Sequence, residues 1–126
     1  MTHGQLQVTV IEARDLYHED LVDKNDPYVE VSIDKHYKQR TSTQSNTDSP
    51  SWNETLILPV PQGHHHLHVH VFDADIVGHD LIGSAKIDLN PIILGKPFDG
   101  WVKLPTHLHL SSHGEVHLSI QYIKSS

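Results

Sequence analysis

The sequence predicts an all-β protein, an eight-stranded antiparallel β-sandwich, and three observations lead to that prediction. Apolar residues alternate with polar ones along most of the chain, which is the pattern of half-buried strands. Clusters of Ser, Asn, Asp, Pro and Gly separate the alternating segments and mark turns. Helical periodicity is nearly absent. Eight short strands at this spacing are typical of two antiparallel sheets that pack face to face.

Four segments alternate regularly, and each is predicted to be a strand with one buried face. Their apolar positions are Leu6, Val8 and Val10, then Val29, Val31 and Ile33, then Leu67, Val69 and Val71, and finally Val116, Leu118, Ile120 and Tyr122. Less regular strands are predicted at residues 37–41, 52–58, 81–87 and 100–104. One helical turn is expected at residues 90–94, because Pro91 suits the first position of a helix.

The composition limits the class of protein. A chain of 126 residues is expected to form one domain, residues 1–126, with a real core. Apolar residues make up 37% of the chain and no apolar run could cross a bilayer, so a soluble protein is expected. The absence of cysteine excludes disulfides and thiolate zinc sites, and no signal peptide follows Met1, so the cytoplasm is the expected compartment.

The formal net charge of −7 bears on the partners of the protein. A chain with this much negative charge is not expected to bind nucleic acid. It is not expected to bind an anionic membrane either, unless bound cations make the local surface charge positive. Protein partners are compatible with the sequence, and we expect a monomer.

Three aspartates follow the third regular strand within residues 71–83, VFDADIVGHDLIG. The strand is expected to stop at Asp73, so that Asp73, Asp75 and Asp80 share a short loop. Carboxylates a few ångströms apart repel and raise one another's pKa, so a cation is expected to share this space. Ca²⁺, which takes six to eight oxygen ligands, is the obvious candidate. The alternative is a solvated acidic turn.

A second acidic cluster lies between the first two strands, in HEDLVDKNDPYVEV. Asp20 and Asp26 are six residues apart, and Asp26 directly precedes Pro27. Proline favours an extended conformation at the residue before it, so the strand is expected to begin here, with the Asp26 carboxylate at its N-terminal end. In a two-sheet sandwich, both acidic loops can emerge at the same end.

Six segments together resemble the C2 domain family. They are GQLQVTVIEARDL, DLVDKNDPYVEV, SPSWNETL, VFDADIVGHDLIG, GWVKL and GEVHLSIQYI, and they cover almost the whole chain in the order of the family. The first strand leads straight into the first acidic loop, and the last strand looks like the first strand of the family's other topology. The resemblance therefore implies the circularly permuted, type II connection of an eight-stranded C2 sandwich.

The resemblance also implies a cofactor and a partner. Family members with a full set of acidic loop residues bind two or three calcium ions and then dock on phospholipid. The positions that match the family's ligands are Asp20, Asp26, Asp73, Asp75 and Asp80, with main-chain carbonyls near Glu19 and Ala74. The segment between Asp75 and Asp80 has four residues where the family usually has five. The competing interpretation is a calcium-independent protein-interaction domain whose acidic loops are vestigial.

The sequence predicts two kinds of membrane contact, on anionic or zwitterionic phospholipid, for a peripheral protein that docks when calcium binds. Apolar pairs follow an aspartate in both acidic loops and are expected to insert shallowly into lipid; they are Leu21, Val22, Ile76 and Val77. The resemblance places a basic patch for headgroups at Lys35, Lys38 and Arg40. The alternatives are that the apolar pairs fold back onto the rim of the sandwich and that the basic residues form a solvated face.

Thirteen histidines are present, in two main groups. His66, His68 and His70 alternate with apolar residues and are expected on the outward face of one strand; the second group is His107, His109, His113 and His117. Such alternation can bind zinc, but no carboxylate or cysteine at ligand spacing completes a site. Plain exposed positions are the simpler interpretation, and pH sensing is a third.

An enzyme is not expected. The pair His68 and His70 is reminiscent of a cupin metal motif, but no Glu follows at the cupin distance and the second cupin motif is absent. No combination of Ser, His and Asp in the sequence identifies a nucleophile.

Overall fold

The computed structural model describes residues 4–18, 23–75, 78–105 and 112–124. It contains eight strands and one short helix in the predicted order. The elements are β1 (Gln5–Arg14), β2 (Pro27–Asp34), β3 (Tyr37–Arg40), β4 (Ser51–Pro59), β5 (His66–Asp75), β6 (Gly78–Asp88), α1 (Asn90–Ile93), β7 (Phe98–Pro105) and β8 (Ser112–Ile123).

The strands form two antiparallel four-stranded sheets. One sheet has the order β4-β1-β8-β7 and the other the order β3-β2-β5-β6. The first and last strands are neighbours, paired from Gln5 opposite Ile123 to Arg14 opposite Glu115. The last strand lies inside its sheet, between β1 and β7, which is the arrangement of the type II connection that the sequence predicted.

The core lies between the inner faces of the two sheets and follows the predicted alternation. In the second sheet, Val29 and Val31 of β2 pair with Val71 and Val69 of β5, and all four side chains are fully buried. In the first sheet, Leu6, Val8 and Val10 of β1 are equally buried. Complete burial of one such side chain stabilises the fold by about 1.5–3 kcal/mol.

The hairpin between β5 and β6 differs from its prediction. Strand β5 does not stop at Asp73 but continues to Asp75, and β6 begins at Gly78, three residues before the predicted strand. The two strands stay paired to the pair Asp75 and Gly78. The aspartates therefore lie on a β-ladder rather than in an irregular loop, because the backbone hydrogen bonds of the ladder outweigh the low strand propensity of Asp.

The helical turn is present where the sequence predicted it, with one difference. Leu89 is the N-cap of α1, so Asn90 rather than Pro91 occupies the first helical position. Pro91 still lies in the first turn, where the missing N–H costs nothing because no carbonyl precedes it in the helix. No helix in the described part of the chain is both long enough and apolar enough to span a membrane.

Candidate functional site

An acidic cavity of about 530 Å³ opens at the end of the sandwich where β1 ends, β2 begins and β5 meets β6. Five carboxylates line this cavity, which we call the acidic cavity: Asp23, Asp26, Asp73, Asp75 and Asp80. Lys24 contributes an ammonium group to the same lining. The two acidic segments of the sequence therefore converge on one site, as predicted for Asp26 and for the three aspartates of the hairpin.

A β-bulge places Asp80 in the cavity. Val71 pairs with Gly83 but Phe72 pairs with Leu81, so Ile82 has no partner on β5. Without this extra residue, Asp80 would lie one position out of register and on the opposite face of the sheet. With it, Asp80 lies directly opposite Asp73. Like charges directly opposite each other on an antiparallel pair are destabilising, so the hairpin carries an electrostatic cost at this site.

The backbone of Asp26 joins the first acidic segment to the hairpin. Its N–H donates to the Oδ1 atom of Asp73 at 2.7 Å, and its carbonyl accepts the N–H of Ala74 at 2.9 Å. The Asp26 carboxylate in turn accepts the N–H of Asn46 at 2.6 Å. Each of the two carboxylates keeps a second oxygen that these bonds do not use. The bonds therefore fix the positions of Asp26 and Asp73 while leaving oxygen atoms for a further partner.

The acidic environment shifts the ionisation of Asp73. Burial raises the pKa of the Asp73 carboxyl above its ordinary value, the N–H of Asp26 opposes this shift, and the charges of Asp26, Asp75 and Asp80 add to it. A raised pKa means that ionisation of Asp73 costs free energy in the folded protein. The contribution of the three neighbouring carboxylates to this shift is expected where carboxylates gather around a cation.

Residues between β3 and β4 hold the first acidic segment in place through hydrogen bonds to Asn25. Asn25 is buried, and its side-chain amide donates to the carbonyl of Tyr17 and to Oδ1 of Asp48, both at 2.9 Å. The carbonyl of Asn25 accepts the N–H of Thr47 at 2.7 Å. These contacts hold the chain in place just before Asp26. Sequence reasoning missed Asn25 and Asp48, because polar residues in a turn give no sign of which ones are buried.

Other residues of the cavity were also missed, and some predicted ones cannot be placed. Asp23, His18 and Tyr17 line the cavity, and Tyr17 stacks on His113 with ring centroids 4.9 Å apart. Of these three residues, only Asp23 could have been suggested by the sequence, because it is a further carboxylate between Asp20 and Asp26. The predicted residues outside the described part of the chain are Asp20, Leu21, Val22, Ile76 and Val77.

The predicted basic residues lie near the edge of the second sheet, away from the acidic cavity. Lys38 and Arg40 are exposed on β3, and Lys35 lies in the turn before that strand. The guanidinium of Arg40 lies 3.6 Å from the ring centroid of Tyr28, and it donates to the Thr43 hydroxyl at 2.8 Å. Arg40 therefore already has a structural role on this surface.

The donor set of the cavity suits calcium. Carboxylate and carbonyl oxygens are the ligands that Ca²⁺ prefers, and a cation would stabilise the ionised Asp73 against both its burial and the neighbouring carboxylates, which raise its pKa. Within the described ranges, no three His, Asp or Glu side chains already stand close enough together to hold a metal ion. A complete set of ligands therefore needs Asp20, which lies outside those ranges, or rotation of the exposed Asp75 and Asp80 side chains.

Comparisons with known proteins agree with this fold. The family model described as C2 domain matches residues 4–104. Synaptotagmin-4 of Arabidopsis thaliana is 38% identical over 94% of this chain and 22% of its own length. RasGAP-activating-like protein 1 of Mus musculus is 32% identical over 98% of this chain and 16% of its own length. The chain thus spans about a fifth or less of the length of these curated relatives.

A solved structure gives the same result at the level of the fold. The calcium-bound structure of a pair of C2 domains from extended synaptotagmin 2 has a TM-score of 0.82 to this chain, with 28% sequence identity. The match covers 98% of this chain and 47% of that one. The similarity therefore extends across the whole sandwich, including the end that carries the acidic cavity.

Proposed function

Because the chain belongs to the C2 domain family, we propose that it is a calcium-dependent phospholipid-binding module with no chemistry of its own. Residues 1–126 form one such domain, which acts in the cytoplasm as a peripheral membrane protein. The observation that carries this proposal is the convergence of Asp26, Asp73, Asp75 and Asp80 on one cavity. The calcium-bound structure of a relative with the same fold supports it.

The acidic cavity acts as an electrostatic switch. With its carboxylates ionised and no cation present, this end of the protein repels anionic headgroups. The calcium ligands in our proposal are Asp20, Asp26, Asp73, Asp75 and Asp80. When bound, calcium supplies positive charge at this end and coordination positions for phosphate oxygens. The sandwich needs no large rearrangement, because Asp26 and Asp73 are already held by backbone hydrogen bonds.

The rim of the cavity provides an apolar contact with lipid. Leu81 and Tyr17 line the cavity with relative exposures of 54% and 50%, so the described part of the rim already presents apolar surface to solvent. The predicted inserting residues Leu21, Val22, Ile76 and Val77 extend this surface in our proposal. Lys35, Lys38 and Arg40 are proposed to contact headgroups separately, at the edge of the second sheet away from this rim, with Arg40 limited by its packing on Tyr28.

Replacing Ile76 and Val77 together with serine is expected to weaken liposome binding about tenfold. Full burial of an apolar side chain in lipid contributes about 1.5–3 kcal/mol, and shallow insertion recovers only part of that. Calcium affinity should be nearly unchanged, because neither side chain offers a ligand. Vesicle cosedimentation at saturating calcium and calorimetric calcium titration measure the two effects. Unchanged sedimentation of the double variant would eliminate insertion at this tip.

The proposal as a whole is tested by cosedimentation with phosphatidylcholine and phosphatidylserine vesicles, with and without calcium. We expect the protein to sediment with calcium and to stay in solution with chelator. Asp26→Asn and Asp75→Asn, which keep side-chain shape but remove charge, should abolish the calcium-dependent fraction. Asp99→Asn is the matched control, since Asp99 is exposed on β7 in the other sheet. Equal sedimentation with and without calcium would refute the proposal and favour a calcium-independent interaction domain.

A further inference from the structure

A histidine joins the two sheets beside the acidic cavity. His113, near the start of β8 in the first sheet, has its Nδ1 atom 2.8 Å from the carbonyl oxygen of Ile82 on β6 in the second sheet. A carbonyl oxygen can only accept a hydrogen bond, so we assign the proton to Nδ1, which donates it. His113 also lines the acidic cavity. The proposed calcium switch gives this side chain no role.

The residue that His113 contacts is the one inserted by the β-bulge. Ile82 has no partner on β5, and this extra residue sets Asp80 opposite Asp73. A bulge disrupts the ladder locally, so buried backbone groups there need partners from elsewhere. The Nδ1–H group of His113 provides such a partner from the other sheet. The contact therefore acts on the segment that decides which face of β6 carries Asp80.

The bulge is packed tightly against the first sheet. A Cβ atom added at Gly83 would lie 2.9 Å from Cβ of Leu104 on β7 and 3.5 Å from Cβ of His113. The first of these distances is shorter than real Cβ contacts allow, so this approach of β6 to the first sheet needs glycine at position 83. The hydrogen bond from His113 to Ile82 therefore belongs to a close contact between the sheets.

The ring of His113 is itself held in place. It stacks on Tyr17 with ring centroids 4.9 Å apart, and the carbonyl of His113 accepts the N–H of Tyr17 at 3.0 Å. The carbonyl of Tyr17 accepts the side-chain amide of Asn25, which directly precedes Asp26. A continuous set of contacts thus runs from the first acidic segment through His113 to the bulge at Ile82.

The hairpin of β5 and β6 needs such a tether. Strand β6 lies at the edge of its sheet, where β5 is its one neighbour among the described strands. Asp80 faces Asp73 across this pair, and the repulsion between the two carboxylates opposes the observed pairing. A shift in pairing by one residue would remove the bulge and carry Asp80 to the opposite face of the sheet. The bond from His113 to Ile82 disfavours this shift.

We propose that His113 is a positioning residue for the calcium site: its Nδ1–H group holds the bulge at Ile82 and thereby keeps the Asp80 carboxylate in the acidic cavity. This role rests on the proposed function and determines how often the site is ready to bind. When the arrangement that binds a ligand is only partly populated, the apparent Kd rises in inverse proportion to its population. Loss of the tether therefore weakens calcium binding without removing a ligand.

Two amide variants separate the hydrogen bond from the ring. In His113→Asn, the amide nitrogen takes about the place of Nδ1 and can donate to the Ile82 carbonyl. In His113→Gln, the amide lies one bond further out and cannot donate from that place. Both variants lose the stacking on Tyr17, so they should melt at similar temperatures. Calorimetric titration should give a calcium affinity within about threefold of the wild type for His113→Asn and about tenfold weaker for His113→Gln.

Vesicle binding distinguishes positioning from a general loss of structure. At saturating calcium, His113→Gln should bind mixed phosphatidylcholine and phosphatidylserine vesicles as well as the wild type does. Only the calcium concentration needed for half of this binding should rise. His117→Gln is the control, because His117 lies on the same strand but bonds to Asp99, and it should keep both properties. Equal calcium affinities in His113→Asn and His113→Gln would overturn the proposal, and so would weaker binding by His113→Asn.

Nitrogen NMR of the wild type tests the hydrogen bond even if a variant fails to fold. At about pH 7.5, above the ordinary histidine pKa, the ring of His113 should carry its proton on Nδ1. The opposite tautomer would overturn the proposal. Absence of calcium binding by the wild type would defeat the proposed function and the role of His113 together. Calcium binding by the wild type with equal affinities in the two amide variants would defeat the role of His113 alone.

Discussion

The variant Asp73→Asn is expected to melt at a higher temperature than the wild type in chelator and to lose stabilisation by calcium. The ionised Asp73 is partly buried, faces Asp80 across the ladder and stands near Asp26 and Asp75, so removing its charge relieves the cost of burial and the repulsion. The amide oxygen of asparagine can still accept the N–H of Asp26. In the wild type, a calcium concentration about 100-fold above Kd should add about 2.7 kcal/mol of stability. Thermal unfolding with and without calcium measures both effects.

The difference in melting temperature between Asp73→Asn and the wild type depends on pH, and its direction follows from the raised pKa of Asp73. Because the pKa of Asp73 is raised in the folded state, protonation of Asp73 favours folding. Its contribution to stability is fully present below the ordinary pKa of 3.8 and is lost as pH rises through the raised value. The melting-temperature gap between variant and wild type in chelator should therefore close as pH falls toward about 4. A gap that stays constant or widens would contradict the cost of ionising Asp73 as its cause.

Asp34→Asn is a useful comparison, because its shift has the opposite sign. Backbone N–H groups of His36 and Tyr37 donate to the Asp34 carboxylate and lower its pKa, although burial opposes them. Its stabilising contribution is present above the ordinary pKa and is lost as pH falls through the lowered one. Asp34→Asn should therefore lower the melting temperature at neutral pH, where Asp73→Asn raises it.

Replacing Trp52 with alanine is expected to destabilise the protein by about 3–5 kcal/mol. Trp52 on β4 is buried in the core, and its indole N–H donates to the carbonyl of Ser42 at 2.9 Å. This bond anchors the segment that carries Asn46, whose N–H holds the Asp26 carboxylate. The variant should therefore also bind calcium more weakly. Urea unfolding gives the change in the free energy of unfolding.

The second tryptophan provides the matched control for Trp52. Trp101 on β7 is half-buried on the outer face of the first sheet, with the guanidinium of Arg14 3.8 Å from its ring centroid. Removing this contact costs about 1 kcal/mol. Trp101→Ala should therefore be only mildly destabilised and should keep its calcium affinity. Equal losses of stability in the two variants would show that Trp52 has no special role in the core.

The sequence predicted the fold well because burial controls side-chain alternation. Along most of β1, β5 and β8 and at Val29, Val31 and Ile33 of β2, every second residue faces the core, and that period of two is visible without coordinates. The order of the strands followed from motifs in the resemblance, and the position of β8 between β1 and β7 confirmed the type II connection.

The candidate site was predictable in its charges but not in its detailed geometry. The acidic segments were visible as clustered aspartates, and four of the predicted aspartates do meet in one cavity. The bulge at Ile82 could not be predicted, because nothing in VFDADIVGHDLIG marks a one-residue shift in pairing. Yet this bulge brings Asp80 opposite Asp73. The buried role of Asn25 also depends on a partner, Asp48, that is 23 residues away in sequence.

The central claim, that acid groups from two distant turns hold calcium together, is tested most directly by titrating calcium into the protein in a calorimeter. We expect saturable binding by the wild type and its loss when Asp26→Asn, on one turn, or Asp75→Asn, on the other, is introduced. The absence of binding heat together with an unchanged melting temperature at millimolar calcium would contradict the claim. So would a full calorimetric response in both variants.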